Sequence, residues 1–427
     1  MQTKTISGII HIKDGMCYRD AECSGTGVDP YELAIELNNS NLDRIIAMEH
    51  STTDEEHDAN IVAIKEMTRN LEIALCGTGT VNRFEDIKKL IYAGAREVIV
   101  DGSHPDAIEL CREGAHRFGE EKILVAIRNM DFIFKVKHET ESIRAGYIVL
   151  DKAILSAVED ESKVPYYIYT DEKNADEISS LLFANKAAGV LNEAYAAPDF
   201  DAMLLKTAVS DLGIPMGNFN PQITWAELKK NEQDMVPVVV QDYLTDEVLM
   251  VAYMDEEAFN STLRSGRMTY YSRSRKEQWL KGETSGHFQF VKSLYADCDK
   301  DTILAKVSQI GAACHTGSRS CFFNEIVKTN NYIEKNPQKV LEEVYETILD
   351  RKEHPKEGSY TNYLFEKGID KILKKVGEEA TEIVIAAKNP NPEEIKYEIS
   401  DFLYHVMVLM AERGVTWEDI SGELAQR

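Results

Sequence analysis

The sequence predicts a multidomain protein with an N-terminal α/β, barrel-like domain, a strand-rich α+β middle domain and an all-α C-terminal bundle. The first observation is the length of 427 residues, because a domain usually takes roughly 150 residues. The second is the alternation of β-rich and amphipathic runs in the first half. The third is a change from strand-like to helical spacing after about residue 336.

Residues 1–221 form the predicted barrel-like domain. Short β-rich runs such as IIHI, RIIAME, EIALCG and KILVAI alternate with helical stretches such as EEHDANIVAIKEMTRNL. Repeated β-then-α units indicate a parallel sheet with helices on its outer face. The natural interpretation of this repeated rhythm is a TIM-barrel-like α/β domain.

Two changes in the sequence pattern mark the limits of the other domains. The stretch PMGNFNPQITWAELKKNEQ breaks the α/β rhythm and offers a capping box from Thr224 to Glu227, so a new domain is predicted over 222–335. Its β-branched and aromatic residues favour strands. Beyond it, residues 336–427 carry apolar residues three and four apart, which predicts a helical bundle.

The composition limits the possible partners and location. The chain has 73 acidic and 48 basic residues and a formal charge of -25, which disfavours binding to nucleic acid or anionic lipid. The start of the chain lacks a signal-peptide pattern, and no apolar run approaches the ~18 residues of a membrane span. Seven scattered cysteines do not form a disulfide framework. We therefore expect a cytoplasmic protein that binds neither nucleic acid nor membranes.

One segment, DCDKDTILAKVSQIGAACHTGSRSCFF, gathers metal-binding residue types. Thiolates suit zinc and carboxylates suit magnesium, so the segment could furnish two metal sites. Three cysteines leave one zinc position open for water, whose pKa zinc lowers to about 7. The alternative is three buried cysteines beside a solvated acidic loop. The residues are Cys298, Cys314 and Cys321, with Asp297, Asp299 and Asp301.

Upstream, YYSRSRKEQWLKGETSGHFQ is a local basic island in an acidic chain. Arginine can hold phosphate through two hydrogen bonds, and glycine and serine let backbone amides approach it. The alternative is a solvated polar turn beside a core tryptophan. The predicted substrate-binding residues are Ser272, Arg273, Ser274, Arg275, Trp279, Lys281, Gly282, Glu283, Ser285 and Gly286, with Arg319 downstream.

Over about 222–325 the sequence resembles the phosphoribosyl-AMP cyclohydrolase family, through VPVVVQD, VLMVAYM, SRSRKEQWLKGETSGH, DCDKDT and ACHTGSRSCFF. The resemblance implies catalytic zinc (Zn2+) on the three cysteines, with Cys298 shared across a homodimer interface, and magnesium (Mg2+) on Asp297, Asp299 and Asp301. It also implies opening of the adenine ring between N1 and C6 by attack of zinc-bound hydroxide on C6. His315 is our candidate proton shuttle, and His287 and Glu283 are the alternatives.

A second carboxylate pattern lies in KKVGEEATEIVIAAK and EEIKYEISDFLYH. Residues three or four apart share one helix face, and like charges placed there repel unless a cation neutralises them. Magnesium between two such acidic pairs would bind a pyrophosphate group. The alternative is ordinary exposed helix glutamates. The predicted metal ligands are Glu378, Glu379, Glu382, Glu398 and Asp401, with Glu379 and Glu382 also assigned catalytic roles.

Over about 336–427 the chain resembles the phosphoribosyl-ATP pyrophosphohydrolases, through GSYTNYLFEKGIDKILKKVGEEATEIVIAAK and EISDFLYHVMVLM. The resemblance implies cleavage of the triphosphate between its α and β phosphorus atoms. Lys371, Lys374 and Lys375 could help to position phosphates. Because the product of this reaction is the substrate of the cyclohydrolase, the two resemblances support one bifunctional hydrolase of histidine biosynthesis that acts on phosphoribosyl nucleotides.

The first half resembles the barrels of the histidine pathway, through SGIIHIKDG and ALCGTGTVNRFEDIKKLIYAGAREVIVDGS. Those relatives carry one catalytic aspartate in the first strand and another after the fifth. Here His11 and Arg128 occupy these positions, and Thr170, Asp171 and Glu172 replace a glycine-rich phosphate loop. We expect a structural, docking or regulatory role, while a different chemistry that uses His11 stays open.

Two other functions fit the sequence less well. One is a zinc nucleobase deaminase fused to a nucleotide-scavenging pyrophosphatase, but the deaminase signature H-x-E with P-C-x-x-C is absent from the sequence. The other is a scaffold stabilised by structural zinc. Three rather than four cysteine ligands, together with the adjacent basic island, disfavour it.

Overall fold

The structure is a computed structural model that describes residues 3–137, 143–328, 337–389 and 392–425. The chain divides into two compact units, Met1–Glu325 and Ile326–Arg427, which are described separately. The first unit contains the predicted barrel and the predicted middle domain. The predicted domain limits at 221/222 and 335/336 stay a prediction.

The first part of unit one is a closed parallel barrel, as predicted. Eight parallel strands follow one another around it, and the last pairs with the first through Thr5↔Gly189 and its neighbours. A short second strand folds back antiparallel onto the first. The strands are β1 (Thr5–Lys13), β2 (Met16–Tyr18), β3 (Arg44–Glu49), β4 (Ala74–Thr78), β5 (Glu97–Asp101), β6 (Ile123–Ile127), β7 (Gly146–Val149), β8 (Tyr166–Tyr169) and β9 (Ala187–Asn192).

Helices surround the barrel and share a large apolar core with the outer faces of the strands. A second, smaller cluster fills the barrel interior, with Ile9, Ile46, Ile99 and Leu124 among its buried members. The interior is therefore packed with side chains. The helices are α1 (Pro30–Leu37), α2 (Asp54–Asn70), α3 (Phe84–Tyr92), α4 (Ala107–Phe118), α5 (Asp131–Val136), α6 (Leu155–Glu161), α7 (Ala175–Leu182) and α8 (Ala202–Asp211).

A polar cluster lies at the N-terminal end of the barrel strands. The Arg44 guanidinium lies 3.4 Å from the Glu97 carboxylate and donates to the Tyr167 hydroxyl at 3.3 Å. It also stacks over the Tyr167 ring, 4.6 Å from its centre. The Cys76 thiol donates to Glu97 at 2.9 Å. These contacts satisfy the polar groups that meet at this end of the barrel.

The middle region of unit one is strand-rich, as predicted, and has an apolar core of its own around Val238, Tyr270 and Val307. A four-stranded sheet has the order β11-β10-β15-β14, and β12 pairs with β13. Buried and half-buried residues alternate along β10 and β15, which is the pattern of strands with one covered face. The elements are β10 (Val236–Asp242), β11 (Val248–Met254), α9 (Glu256–Ser265), β12 (Thr269–Ser272), β13 (Glu277–Leu280), β14 (Gln289–Ala296) and β15 (Ile303–Gln309).

The barrel and the middle region contact each other within unit one. Glu72, after α2, accepts hydrogen bonds from the Tyr243 hydroxyl and from Lys292 in β14, the latter at 2.7 Å. Lys292 also donates to the Asn38 carbonyl at 2.9 Å. Arg264 of α9 pairs with Asp211 at the end of α8, at 2.7 Å. The barrel thus contacts the strand that leads to Cys298.

Unit two is helical, as predicted. Its core includes Leu364, Ile372, Met407 and Val408, and α12 packs along α13. In the described part of the chain, no helix is long and apolar enough to cross a membrane. The helices are α10 (Pro337–Glu353), α11 (Tyr360–Lys367), α12 (Ile369–Ala386), α13 (Pro392–Arg413) and α14 (Trp417–Ala425).

Two candidate active sites

The loop after β15 presents Cys314. A tight turn closes it, because the Cys314 amide donates to the Ser318 carbonyl and the Gly317 amide donates to the Cys314 carbonyl, each at 3.1 Å. The Thr316 hydroxyl donates to the Cys314 sulfur at 3.1 Å. This hydrogen bond and one from the Thr316 amide lower the pKa of the Cys314 thiol. The turn therefore favours the thiolate, which is the form that binds metal.

Cys321 lies beside Cys314. Its amide donates to the Leu249 carbonyl of β11 at 2.7 Å, which fixes the end of the loop to the sheet. Burial raises the pKa of the Cys321 thiol, and a hydrogen bond with Cys314 raises it further. Metal binding displaces the protons of cysteine thiols, so two adjacent thiols are suited to binding one metal ion.

Cys298 lies elsewhere in the chain's own fold. It is exposed and follows β14, between two of the predicted magnesium ligands. Within the described ranges, the sulfur atoms of the three cysteines do not all lie within 4.8 Å of one another. A single chain therefore brings together two of the predicted zinc ligands, Cys314 and Cys321.

The three predicted magnesium ligands do converge. Asp297, Asp299 and Asp301 are exposed and place carboxylate oxygens within 4.8 Å of one another. The turn between β14 and β15 positions them, with Lys300 at a φ of 62°. Asp297 accepts from the backbone amides of Asp301 and Thr302 at 2.9 and 3.1 Å. Desolvation by neighbouring groups raises the pKa of Asp297, but these hydrogen bonds outweigh it and lower the pKa overall.

The basic island forms the turn from β12 to β13 and borders an open cleft of about 710 Å³. The Arg273 guanidinium lies over the Tyr253 ring, 3.9 Å from its centre. Arg275 pairs with Glu277 at 3.2 Å. Among the predicted substrate-binding residues, the cleft is lined by Ser272, Arg273, Ser274 and Trp279. An exposed arginine on an aromatic face is free to bind an anionic group.

The loop after β13 lies near the cysteines. Lys281 is 4% exposed and donates to the His287 carbonyl at 3.2 Å. Burial lowers the pKa of Lys281, whereas the thiols of Cys321 and Cys314 raise it. Gly282 has a φ of 92°, and a Cβ there would lie 2.5 Å from the Phe288 nitrogen, so the loop requires glycine. The loop also carries the exposed predicted residues Glu283, Ser285 and Gly286.

The two candidate histidines differ in their surroundings. His315 is exposed, and its Nδ1 lies 3.9 Å from the Cys314 sulfur. His287 is half-buried, and a Cβ on Gly311 would lie 2.7 Å from its ring. His287 therefore packs against the backbone that leads to Cys314. Both imidazoles lie next to the cysteine loop.

Arg319 is engaged within the chain. It donates to the buried carboxylate of Asp242 at 2.9 Å and to Glu247 at 3.2 Å. These bonds connect the cysteine loop to the turn between β10 and β11. In this arrangement Arg319 positions the loop, and its predicted contact with substrate stays a prediction.

The second site lies between α12 and α13. Glu379, Glu382 and Glu398 place carboxylate oxygens within 4.8 Å of one another, and Glu379 is 4% exposed. The pKa of Glu398 is raised by burial and then by Glu382, Glu379 and Asp401. Such a cluster is electrostatically unfavourable without a cation.

The remaining predicted carboxylates border this cluster. Glu378 pairs with Lys375 at 3.1 Å and Lys374 at 3.4 Å, and the Lys375 and Lys374 hydrogen bonds lower its pKa. Asp401 lies one helical turn after Glu398 and is exposed. Glu378 therefore pairs with lysines of its own helix. Lys375 also lies 3.4 Å from the Glu379 carboxylate, so one lysine already borders the cluster.

Three parts of the chain match known protein families. The family model of phosphoribosyl-AMP cyclohydrolase matches residues 250–323, that of phosphoribosyl-ATP pyrophosphohydrolase matches 341–427, and that of histidine biosynthesis protein matches 6–162. The histidine biosynthesis bifunctional protein HisIE of Thermoanaerobacter pseudethanolicus is 54% identical over 209 residues, which is 46% of this chain and 97% of that protein. The chain belongs to the HisIE family. The resemblances inferred from sequence are confirmed, and with them a bifunctional hydrolase of histidine biosynthesis.

Other HisIE proteins match the chain with similar sequence identity and coverage. The protein of Lactococcus lactis is 48% identical over 197 residues, covering 46% of this chain and 90% of its own length. That of Bacillus subtilis is 45% identical over 201 residues, covering 47% of this chain and 95% of its own length. These HisIE relatives are thus matched almost completely by less than half of this chain, and the barrel is additional to what they share.

Sequence reasoning missed His405, which lies beside the carboxylate cluster of α12 and α13. Its Nδ1 donates to the Asp401 carbonyl at 2.8 Å, and its Nε2 accepts from the Tyr360 hydroxyl at 3.1 Å. Nδ1 also lies 3.8 Å from the Glu379 carboxylate. The available signal was the spacing of His405, four residues after Asp401 and seven after Glu398, on the same helix face.

The structure also describes the barrel residues that the sequence analysis singled out. His11, at the end of β1, is 1% exposed; its Nδ1 lies 2.9 Å from His50 Nε2, and its Nε2 lies 3.8 Å from Glu193. Burial and the proximity of His50 lower the pKa of His11. Arg128 is exposed after β6. In the loop that is predicted to replace the relatives' phosphate loop, the Glu172 carboxylate pairs with Lys152 at 3.0 Å.

Proposed function

We propose that residues 222–335 open the adenine ring of phosphoribosyl-AMP and that residues 336–427 hydrolyse phosphoribosyl-ATP to phosphoribosyl-AMP and pyrophosphate. The chain would carry out these consecutive steps of histidine biosynthesis in the cytoplasm. The observation that carries this proposal is the presence of separate ligand clusters in the two matched regions. One region offers thiols with carboxylates, and the other offers carboxylates alone.

The donor chemistry fits zinc at the cysteines. The buried Cys314 sulfur accepts a hydrogen bond, and Cys321 lies beside it, so two sulfur ligands would be available side by side. Bound zinc would supply activation of water for attack on C6. We assign the third position to Cys298 of a second copy of the chain, because Cys298 does not join the pair within one chain.

The donor chemistry fits magnesium at the aspartate turn. Asp297, Asp299 and Asp301 present hard oxygen ligands on an exposed turn. Arg273 and the serines beside it would bind the phosphate groups of the substrate. His315 would move the proton of the attacking water, since its exposed ring adjoins Cys314. His287 and Glu283 stay the alternatives for this role.

In the helical domain, Glu379, Glu382 and Glu398 fit magnesium for the same reason, with Asp401 and Glu378 at the margin. Bound magnesium would neutralise the triphosphate and orient water toward phosphorus. Lys374 and Lys375, which pair with Glu378, would bind the outer phosphates once the substrate competes for them. Glu379 and Glu382 would hold the attacking water.

A homodimer is part of this proposal. Apolar side chains are exposed next to the zinc ligands, with Phe322 63%, Phe323 53% and Val251 48% exposed. Near the carboxylates of the helical domain, Val384 and Ile399 are 62% and 41% exposed. A second copy that supplies Cys298 would also cover apolar surface of this kind.

Coexpression of two inactive variants tests the shared zinc site. A Cys298→Ser chain and a Cys314→Ser chain should each lack ring opening. In a mixed dimer, one site takes Cys314 and Cys321 from the first chain and Cys298 from the second, so it is complete. Random pairing would restore about a quarter of wild-type activity. Absence of recovery in dimers shown by mass to be mixed would rule out the sharing.

The two reactions themselves are tested on the full chain with zinc and magnesium. Phosphoribosyl-ATP should be converted first to phosphoribosyl-AMP and then to the ring-opened product, as followed by mass spectrometry. When phosphoribosyl-AMP is supplied, its adenine ring should be opened while zinc is present. The compound should persist after zinc is removed by a chelator. Release of ammonia from the adenine ring would instead identify the rival deaminase chemistry.

A further inference from the structure

A line of side-chain contacts leads away from the carboxylate cluster of the helical domain. His405 is 5% exposed, and its Nδ1 lies 3.8 Å from the Glu379 carboxylate. Because Nδ1 donates to the Asp401 carbonyl, Nε2 has a lone pair and accepts a hydrogen bond from the Tyr360 hydroxyl at 3.1 Å. The two rings meet edge to face, with their centres 5.9 Å apart. Tyr360 of α11 therefore lies at the border of the cluster.

Tyr360 and Tyr363 form an exposed aromatic surface, here called the tyrosine pair. They lie three residues apart in α11, and their rings are inclined by 25° with centres 6.3 Å apart. They are 46% and 41% exposed. The face of a tyrosine ring attracts positive charge, and the Lys367 ammonium already lies 5.8 Å from the centre of the Tyr363 ring. The tyrosine pair is thus suited to flat and positively charged groups.

The tyrosine pair lines a cavity of about 470 Å³ at the start of α11, a volume suited to a small molecule. The exposed side chains of Glu357, Glu366 and Lys356 line the same cavity. Asn362 is 7% exposed and holds the turn there, because its side chain accepts from the Lys356 amide at 2.9 Å. Carboxylates beside aromatic rings favour a flat cation, and the lysine favours a phosphate attached to it.

The substrate of the helical domain has a base of this kind. In phosphoribosyl-ATP the second ribose is attached to N1 of the adenine, which converts N1, C6 and N6 into an amidine. This amidine takes up a proton near neutral pH, and the positive charge is spread over the ring. The adenine of ATP is neutral under the same conditions. The N1 substituent also ends in a phosphate, so its charge pattern matches the lining of the cavity.

We propose that the tyrosine pair and Glu366 form the subsite for the N1-substituted adenine of phosphoribosyl-ATP and select this substrate over ATP. The triphosphate then faces the carboxylate cluster, and Lys356 faces the phosphate of the N1 substituent. The inference rests on the proposed hydrolysis of phosphoribosyl-ATP by this domain. It adds residues that recognise the base, whereas the carboxylates recognise the triphosphate through metal.

The kinetics of pyrophosphate release by the full chain test the subsite, with magnesium present and the phosphoribosyl-ATP concentration varied. Tyr363→Leu removes the aromatic face but keeps an apolar side chain, so KM should rise about tenfold while kcat stays within about twofold. Tyr363→Phe brings the aromatic face back and should recover most of the affinity. Tyr397→Leu is the matched control, because Tyr397 is a 63% exposed tyrosine of α13 that does not line the cavity.

Competitive inhibition separates recognition of the charged base from a general loss of structure. 1-Methyladenosine 5′-monophosphate carries the charged, N1-substituted base, and AMP carries the neutral one. Near neutral pH the methylated nucleotide should inhibit pyrophosphate release by the wild type about tenfold more strongly than AMP. This preference should largely disappear in Tyr363→Leu, which lacks the ring face, and in Glu366→Gln, which lacks the carboxylate. It should persist in Tyr397→Leu.

Equal inhibition of the wild type by the two nucleotides would overturn the inference and leave the proposed reaction intact. So would an unchanged preference in both Tyr363→Leu and Glu366→Gln, or a rise in KM that Tyr363→Phe does not recover. If circular dichroism shows that Tyr363→Leu is unfolded, the inhibition ratio of Glu366→Gln decides. Failure of the wild type to release pyrophosphate from phosphoribosyl-ATP would refute the proposed function itself, and this inference with it.

Discussion

The Thr316 hydroxyl donates a 3.1 Å hydrogen bond to the sulfur of Cys314. Together with the Thr316 amide, it stabilises the thiolate and lowers the pKa of Cys314. A threonine two residues after a cysteine is unremarkable in a sequence. Its effect arises because the turn closed by Gly317 brings the hydroxyl back onto the sulfur.

We predict that Cys314→Ala abolishes ring opening and leaves pyrophosphate release intact, so that phosphoribosyl-AMP accumulates. The zinc site would lose one of its three thiolates, whereas the carboxylates of α12 and α13 lie in the other unit. Product masses and zinc content measure the result. The control Cys23→Ser lies in a barrel loop and should retain both activities. Ring opening at the wild-type rate would contradict the zinc assignment.

We predict that Glu382→Gln slows pyrophosphate release on the order of a hundredfold, while supplied phosphoribosyl-AMP is still opened. The change removes one charge from the group that also contains Glu379 and Glu398, and metal-mediated charge stabilisation contributes several kcal/mol. Asp401→Asn should act in the same direction. Glu343→Gln, on an exposed face of α10, is the matched control. Normal pyrophosphate release by both site variants would refute the assignment.

We predict two classes of thiol in the native protein. Burial raises the pKa of Cys17 and Cys111 to about 12 and raises that of Cys76 well above its usual range, so at pH 8 these thiols stay protonated and unreactive. Cys298, Cys314 and Cys321 should be alkylated once zinc is chelated and protected when zinc is present. Peptide mass spectrometry after brief alkylation distinguishes the classes, and labelling of Cys111 in folded protein would contradict this prediction.

We predict that the full chain lacks the isomerase and cyclase activities of the histidine-pathway barrels. Arg128 stays protonated and cannot act as a base, and burial lowers the pKa of His11. His11 alone would serve only one of two proton-transfer roles at a time. Turnover of either relative's substrate by purified protein would show that the barrel is catalytic.

We predict that residues 222–427, produced alone, keep both hydrolytic reactions and lose stability. The loss follows because Lys292 would no longer contact Glu72 and Asn38. In the full chain, Glu72→Ala should lower the thermal midpoint of the middle region by about 2–4 °C, as measured by calorimetry. A folded truncation without chemistry would show that the barrel is needed for catalysis.

Much of the fold was predictable because its signals are local. The β-then-α rhythm of the first half is repeated in the barrel, and the Thr224 to Glu227 capping box is present. The three aspartates at 297, 299 and 301 converge because one turn carries them all. The proximity of Glu379 to Glu398 follows from the packing of α12 along α13.

What the sequence did not predict depends on packing between distant segments. Helical spacing places Glu378 and Glu379 equally well near Glu382, but only the packed helices show that Glu379 belongs to the carboxylate cluster and Glu378 does not. The Glu49 to His57 pair joins the end of a strand to a helix interior. No spacing rule marks such a pair in advance.

The packed interior of the barrel limits how any ligand can move. Ile9, Ile46, Ile99 and Leu124 fill the axis, and Arg44 with Glu97 occupies its N-terminal end. Within the residues that the structure describes, a ligand bound at the C-terminal end of the barrel would therefore have to enter and leave through that same end.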